Sequence, residues 1–216
     1  MPYPYADLAL SRRLERAEAH VNRRLVESRA RLFPDRGSQW IDVAGTYAMF
    51  DGVGAPTTQT SGLGLFEDVT VADLMTIEAF FFDRGVDVFH EVSPLADAAT
   101  PVVLGDRHYR PVEFTSVMYR PIETESVAPA ASSRVRVAVL QSGQESLWAR
   151  TSARGWSEFP ELATFVSEMG HTITSAEDTR CFLAQAALPS ATPSAMASAL
   201  PTHGSSGVEA AHRSSC

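Results

Sequence analysis

Six histidines, at positions 20, 90, 108, 171, 203 and 212, and two cysteines, Cys181 and Cys216, are the side chains of this sequence suited to metal binding or nucleophilic attack. Their spacing supports neither. Metal sites draw ligands from short, regular intervals, and no HxxxH, HExxH or CxxC pairing occurs, so no metal is expected. A serine hydrolase would need a G-x-S-x-G elbow, and none is present; Ser205-Ser206, between Gly204 and Gly207, falls in a stretch without structural period. Cys181 stands beside Phe182 and Leu183 in a strand-like pattern and reads as a small core residue. His90 reads as an outward position on its strand. All eighteen basic residues are Arg, which removes lysine-based covalent chemistry.

Charge narrows the partners. The net charge of -8 argues against nucleic acid, which needs a clustered basic excess. Residues 1 to 33 carry seven Arg against four acids, a net of +3, whereas residues 34 to 125 carry five Arg against fifteen acids, a net of -10. The acidic middle suits a cationic partner. Of 216 residues 44% are hydrophobic and 20% charged, the composition of a globular chain. No apolar run approaches the roughly 18 residues that cross a bilayer, and the first twenty residues carry no apolar signal core. With only two cysteines, a reducing, cytoplasmic setting without a membrane partner is the expectation.

The elements that must position any site follow from periodicity. Leu10, Leu14, Ala17, Val21, Leu25, Ser28 and Leu32 recur at intervals of three and four, one stripe of a helix over residues 7 to 33 that Pro34 and Gly37 end. Gln39 to Phe50 is aromatic and β-branched, a strand closing at the Asp51-Gly52 turn; a second strand covers Gln59 to Phe66. Thr70-Val-Ala-Asp73 is a capping box, so a helix follows to about Arg84, burying Val71, Leu74, Ile77, Phe81 and Phe82, with Gly85 as its left-handed stop. Val86 to Val92 is a short strand, Thr100-Pro101 opens a brief helix, and Pro111 to Tyr119 is a further strand; one mixed sheet over residues 39 to 120 is predicted.

Glu123 to Ser133 is small, polar and Pro-containing, as linkers are. Beyond it Val135 to Leu140, Glu145 to Glu158, Glu161 to Met169 and Thr179 to Gln185 alternate as β-α-α-β. From Ala186 the chain has no aromatic residue, one acid and one Arg, and the reading is a disordered tail. The organisation is therefore α+β: a first domain over 1–122, a linker over 123–133, a partial second unit over 134–185 and a tail over 186–216.

Residues 6 to 185 resemble tandem GNAT-type N-acetyltransferases, in which a degenerate acetyltransferase fold precedes a better preserved one. The resemblance is carried by Asp51-Gly52, Gly62-Leu63-Gly64-Leu65, Ser93-Pro94-Leu95-Ala96-Asp97 and Tyr109-Arg110-Pro111. It implies a GNAT-like mixed sheet flanked by helices, acetyl-CoA as cofactor, and transfer of the acetyl group to a small-molecule or peptide amine. Such a site holds the cofactor's pyrophosphate on free amides at a helix start, since orphan N–H groups and the helix dipole favour an anion. The family fingerprint [QR]-x-x-G-x-[GA] is met by Gln59, Gly62 and Gly64, which read either as this anion loop or as a glycine-bearing strand, with Glu67 and Asp68 between it and the helix. The general base that takes the amine proton has Glu91 and Asp97 as candidates, beside the commoner reading of each as a surface or capping carboxylate. The family's thiolate-directed Tyr falls at Leu104, which donates no proton. The cofactor element of the second half would follow Gln185, where the tail stands instead. The implied enzyme is thus impaired, by truncation or a shifted reading frame, or is an inactive binding module.

Overall fold

Asp7 begins α1 (Leu8–Leu32): its carboxylate accepts from the Leu10 amide at 2.7 Å, satisfying one of the free donors of a helix start. Pro34 ends the helix in a short 3-10 turn, and Gly37, at φ 67°, turns the chain toward the sheet. The computed structural model describes residues 5–120 and 135–186, and 193–199 as backbone. The chain divides between Met118 and Tyr119 into two compact units; the linker predicted at 123–133 lies outside the described residues.

In the first unit the predicted strand over 39–50 is a hairpin, β1 (Gln39–Val43) and β2 (Thr46–Phe50), paired antiparallel with Trp40 opposite Met49. The two-residue turn Ala44-Gly45 has both residues at positive φ, 50° and 72°, the twist that matches flanking strands. Ala at a left-handed position gives no turn signal, which hides the hairpin in the sequence. β3 (Gln59–Ser61) pairs antiparallel with β2 and stops at Ser61, short of the predicted Phe66.

β2 is buried at all five positions because helices cover both faces of the sheet. Trp40, Tyr47 and Met49 pack with Ala19 and Val26 of α1. On the opposite face Ile41, Val43, Ala48 and Phe50 pack with Leu74, Ile77, Phe80 and Phe81 of α2 (Val71–Phe82). The Thr70–Asp73 capping box forms as predicted, and Leu74, Ile77 and Phe81 are fully buried. Val71 and Phe82, predicted inside, are exposed; Phe80 takes the place of Phe82, meeting Phe81 edge-on with ring centroids 5.1 Å apart. Three consecutive Phe cannot share one helix face, and the position of the sheet selects among them.

α1 also turns differently from its apolar stripe. Ser11, Ala19, Val26, Ser28 and Arg29 are its buried residues, whereas Leu32 is exposed and Leu10, Leu14, Val21 and Leu25 are half-buried. Small residues let the helix approach β2, whose Tyr47 and Met49 supply the volume. Arg29 is buried beside a carboxylate: its Nε lies 3.1 Å from Asp51 Oδ1, a charge contact at the end of β2.

The predicted strand over 86–92 is a single parallel bridge between His90 and Thr60, held by Thr60 N to Phe89 O (2.9 Å) and Glu91 N to Thr60 O (3.1 Å). α3 (Thr100–Asp106) follows. The predicted strand over 111–119 joins no ladder; Phe114 and Met118 are each 92% exposed. The sheet over 39–120 is therefore antiparallel, with one parallel contact, rather than a continuous mixed sheet.

The second unit consists of β4 (Val135–Val139), α4 (Glu145–Gly155), α5 (Ala163–Ser175), β5 (Arg180–Ala186) and β6 (Pro193–Ala199), with sheet order β4-β5-β6, all antiparallel. Trp148, Cys181 and Leu183 form its core. Gly170 lets the helices touch, since a Cβ there would lie 2.7 Å from the Ala149 Cα. β6 falls within the stretch read as unstructured from Ala186. Pairing along β5 uses backbone groups, which a reading based on side-chain burial undervalues. The rest of the predicted tail lies outside the described residues. Taken with the first unit, the class is α+β, as predicted. Among the described residues no helix is long and apolar enough to cross a membrane.

Candidate functional site

Strand alternation along β3 and the His90 bridge sorts the polar residues onto two faces. Gln59, Ser61 and Glu91 face α1; Thr60 and His90 face α2.

On the α1 face, Ser61 Oγ donates to Glu91 Oε2 at 3.3 Å, and the Gln59 amide also donates to this carboxylate. Glu15 and Glu18 stand one turn apart on α1, close enough to act on Glu91 and on each other. Burial, then the charges of Glu91 and Glu18, push the Glu15 carboxyl up to about 7. Burial and the Glu18 charge raise Glu91 as well, against the hydrogen bonds from Gln59 and Ser61. Among the described residues no group of three or more His, Cys, Asp or Glu is placed to hold a metal ion. Arginines hold the helix at this distance: Arg12 Nε donates to Leu65 O at 2.7 Å, and Arg16 donates to Gly45 O at 2.9 Å with its guanidinium 3.7 Å from the Phe66 ring.

On the α2 face, Thr60 Oγ1 lies 2.9 Å from His90 Nδ1, and the imidazole meets the Tyr109 ring edge-on at 4.8 Å. Tyr109 Oη donates to Glu78 Oε1 at 3.2 Å, and Arg107 holds both Glu78 oxygens in a fork. Burial pulls the His90 pKa down to about 4, opposed by the Glu78 charge, and the ring's Nε2 is buried without a protein partner. Burial and then Glu78 push Tyr109 up to about 12. The imidazole is a packed component of this network, not the outward strand position that the sequence predicts for His90.

The cofactor-loop candidates are placed elsewhere. Gly62 and Gly64 are buried at φ 82° and 68°; a Cβ on Gly62 would lie 2.8 Å from the Phe66 ring, and one on Gly64 2.0 Å from Thr100 Oγ1. Gly64 O accepts from Asp97 N at 2.8 Å. The loop is filled by its own neighbours. At the start of α2, the Asp73 carboxylate accepts from the Thr70 amide and hydroxyl, and these bonds hold its pKa down. A carboxylate thus sits where the pyrophosphate of acetyl-CoA would have to sit, and the residues at Gln59, Gly62, Gly64 and the α2 start do not fit that group. Asp97 is exposed, and its Oδ1 accepts from Ala99 N at 2.8 Å, the capping alternative for this residue. Of the two base candidates, Glu91 lies in the acid cluster and Asp97 serves the turn before α3. Glu15 and Glu18 gave no signal in the sequence beyond a charged helix face, nor did Glu78 beyond its place on α2; each depends on contacts across the fold.

A cleft of about 420 Å³ opens at the other end of α2, between the loop at 53–59 and the segment 85–89. It is distant from the helix start that would hold a phosphate, and its lining includes Gln59. No protein-family model, curated protein or solved structure matches this chain.

Proposed function

We propose that this chain is a GNAT-type N-acetyltransferase module, of the class that moves an acetyl group from acetyl-CoA to an amine, in which the acceptor side persists and the cofactor side is impaired. The observation that carries the reading is the Glu91 carboxyl, raised above its usual range beside Glu15 and Glu18. Acyl transfer needs a neutral amine, and amines arrive as ammonium ions. A cluster of acids attracts the ion, and a carboxylate of raised proton affinity is better matched to taking its proton. Gln59 and Ser61 orient the Glu91 oxygens. The order of elements, three strands, a capped helix, a parallel contact and then β-α-α-β, supports the same class.

A second reading, a GNAT-like module without catalysis that binds a partner, is favoured by one specific observation: Gly64 packed on Thr100 together with Asp73 over the α2 amides. Calorimetric titration with acetyl-CoA and with a diamine separates the outcomes. The impaired enzyme gives acetyl-CoA binding weaker than about 10 μM, equivalent to roughly -7 kcal/mol, and diamine binding that Glu91→Gln reduces. Tighter cofactor binding overturns the impairment. Diamine binding unaffected by Glu91→Gln, or none, overturns the acceptor side and leaves the second reading.

A further inference from the structure

The cleft between the 53–59 loop and the 85–89 segment shares Gln59 with the α1 face and otherwise lies outside the proposed site. Its walls are apolar at Val53, Pro56, Val86 and Phe89, the last 51% exposed. Among the lining residues Asp87 is the one charged side chain. Gly54 and Gly85, at φ 73° and 69°, have no atom within 4 Å of where a Cβ would stand, in contrast to the packed Gly62 and Gly64, so the mouth is open at both loops. Gly85 lies just past the C-terminal end of α2, the negative end of the helix dipole. The same end already holds a cation: the Arg84 guanidinium donates to Phe80 O and lies 4.0 Å from the Phe80 ring centroid.

From these features we infer that the cleft is a binding site for an organic ammonium ion with apolar substituents. The helix end is already neutralised by Arg84, so Asp87 supplies the counter-charge, while the apolar walls accept the substituents and the Phe89 ring attracts the positive charge. Anions are disfavoured by the same groups. The inference does not rest on the acetyltransferase reading, because a quaternary ammonium has no proton to give and cannot be acylated on nitrogen.

The test uses the full chain, choline, and 3,3-dimethyl-1-butanol, which has choline's shape without its charge. Backbone amide NMR shifts are followed at Gly54, Gly85 and Phe89. Choline should shift these resonances saturably, the neutral isostere should need a concentration at least about tenfold higher, and Asp87→Asn or Phe89→Ala should each weaken choline by about three- to tenfold with spectral dispersion unchanged. Equal binding of choline and its isostere overturns the inference, as does an unaltered affinity in Asp87→Asn. Shifts confined to Ser61 and Glu91 would assign the cation to the acid cluster and equally overturn it, while leaving the acceptor reading intact.

Discussion

His90 and Glu91 are consecutive residues that serve opposite faces of one sheet: His90 Nδ1 lies 2.9 Å from Thr60 Oγ1 on the α2 side, and Glu91 Oε2 accepts from Ser61 Oγ at 3.3 Å on the α1 side. One face holds an imidazole that burial keeps neutral. The other holds carboxyls that burial keeps protonated to higher pH. The two faces therefore impose opposite pH dependences on stability.

On the α2 side, the folded His90 pKa is about 4 against an ordinary 6.5, so between these values the unfolded chain binds more protons. His90 thus favours the fold fully above pH 6.5, and that contribution is lost as pH falls toward 4. Denaturant unfolding of wild type and His90→Asn at pH 7 and pH 4.5 should show the wild type losing up to about 3 kcal/mol relative to the variant. A pH-independent difference would contradict the buried neutral imidazole.

Glu15 runs the other way. Its folded pKa of about 7 exceeds the ordinary 4.5, so the folded chain binds more protons between them, and stability falls as pH rises through this window. Glu15→Gln should be more stable than wild type at pH 8 by about 1–3 kcal/mol, and the gain should shrink toward pH 4.5. Thermal unfolding at the two pH values measures it.

Asp51 ends β2 with its carboxylate fully buried, 3.1 Å from Arg29 Nε and bonded by the hydroxyls of Ser38 and Thr57. Asp51→Ala removes a carboxylate paired with a buried guanidinium and should cost about 3–5 kcal/mol. The double variant Asp51→Ala/Arg29→Met should cost less than the single one, in a urea-unfolding cycle.

Gly64→Ala drives a methyl to 2.0 Å from Thr100 Oγ1 at a left-handed φ, whereas Gly54→Ala strains only the backbone. Losses of about 3 kcal/mol or more and about 1 kcal/mol, respectively, are expected from urea unfolding. Equal losses would mean that the Gly62–Gly64 loop is open, and with it the route for a phosphate.

Ending the chain at Ala186 removes β6 from the edge of β5. Relative to a chain ending at Ala199, it should destabilise the second unit by roughly 2 kcal/mol or more, summed over cross-strand pairs. The Trp148 fluorescence, from the core of that unit, reports the transition; coincident curves would mean that β6 adds nothing.

What the sequence determined by itself was local. The Thr70–Asp73 capping box, the Pro34 stop of α1 and the β-α-α-β order after residue 134 depend on residues close to one another in the chain. Contacts of that range are written in neighbouring letters. The tertiary structure decided which face of α1 turns inward, because packing against Tyr47 and Met49 favours small residues over leucines. It also decided that Ala44-Gly45 is a turn, that β6 completes a sheet through backbone pairing, and that Gly64 is filled by Thr100. The acid cluster belongs to the same class. Glu15 and Glu91 are separated by 76 positions, and neither has a perturbed proton affinity until α1 docks on the sheet, excludes water and brings like charges together; desolvation is a property of the packed surface, and no local pattern encodes it.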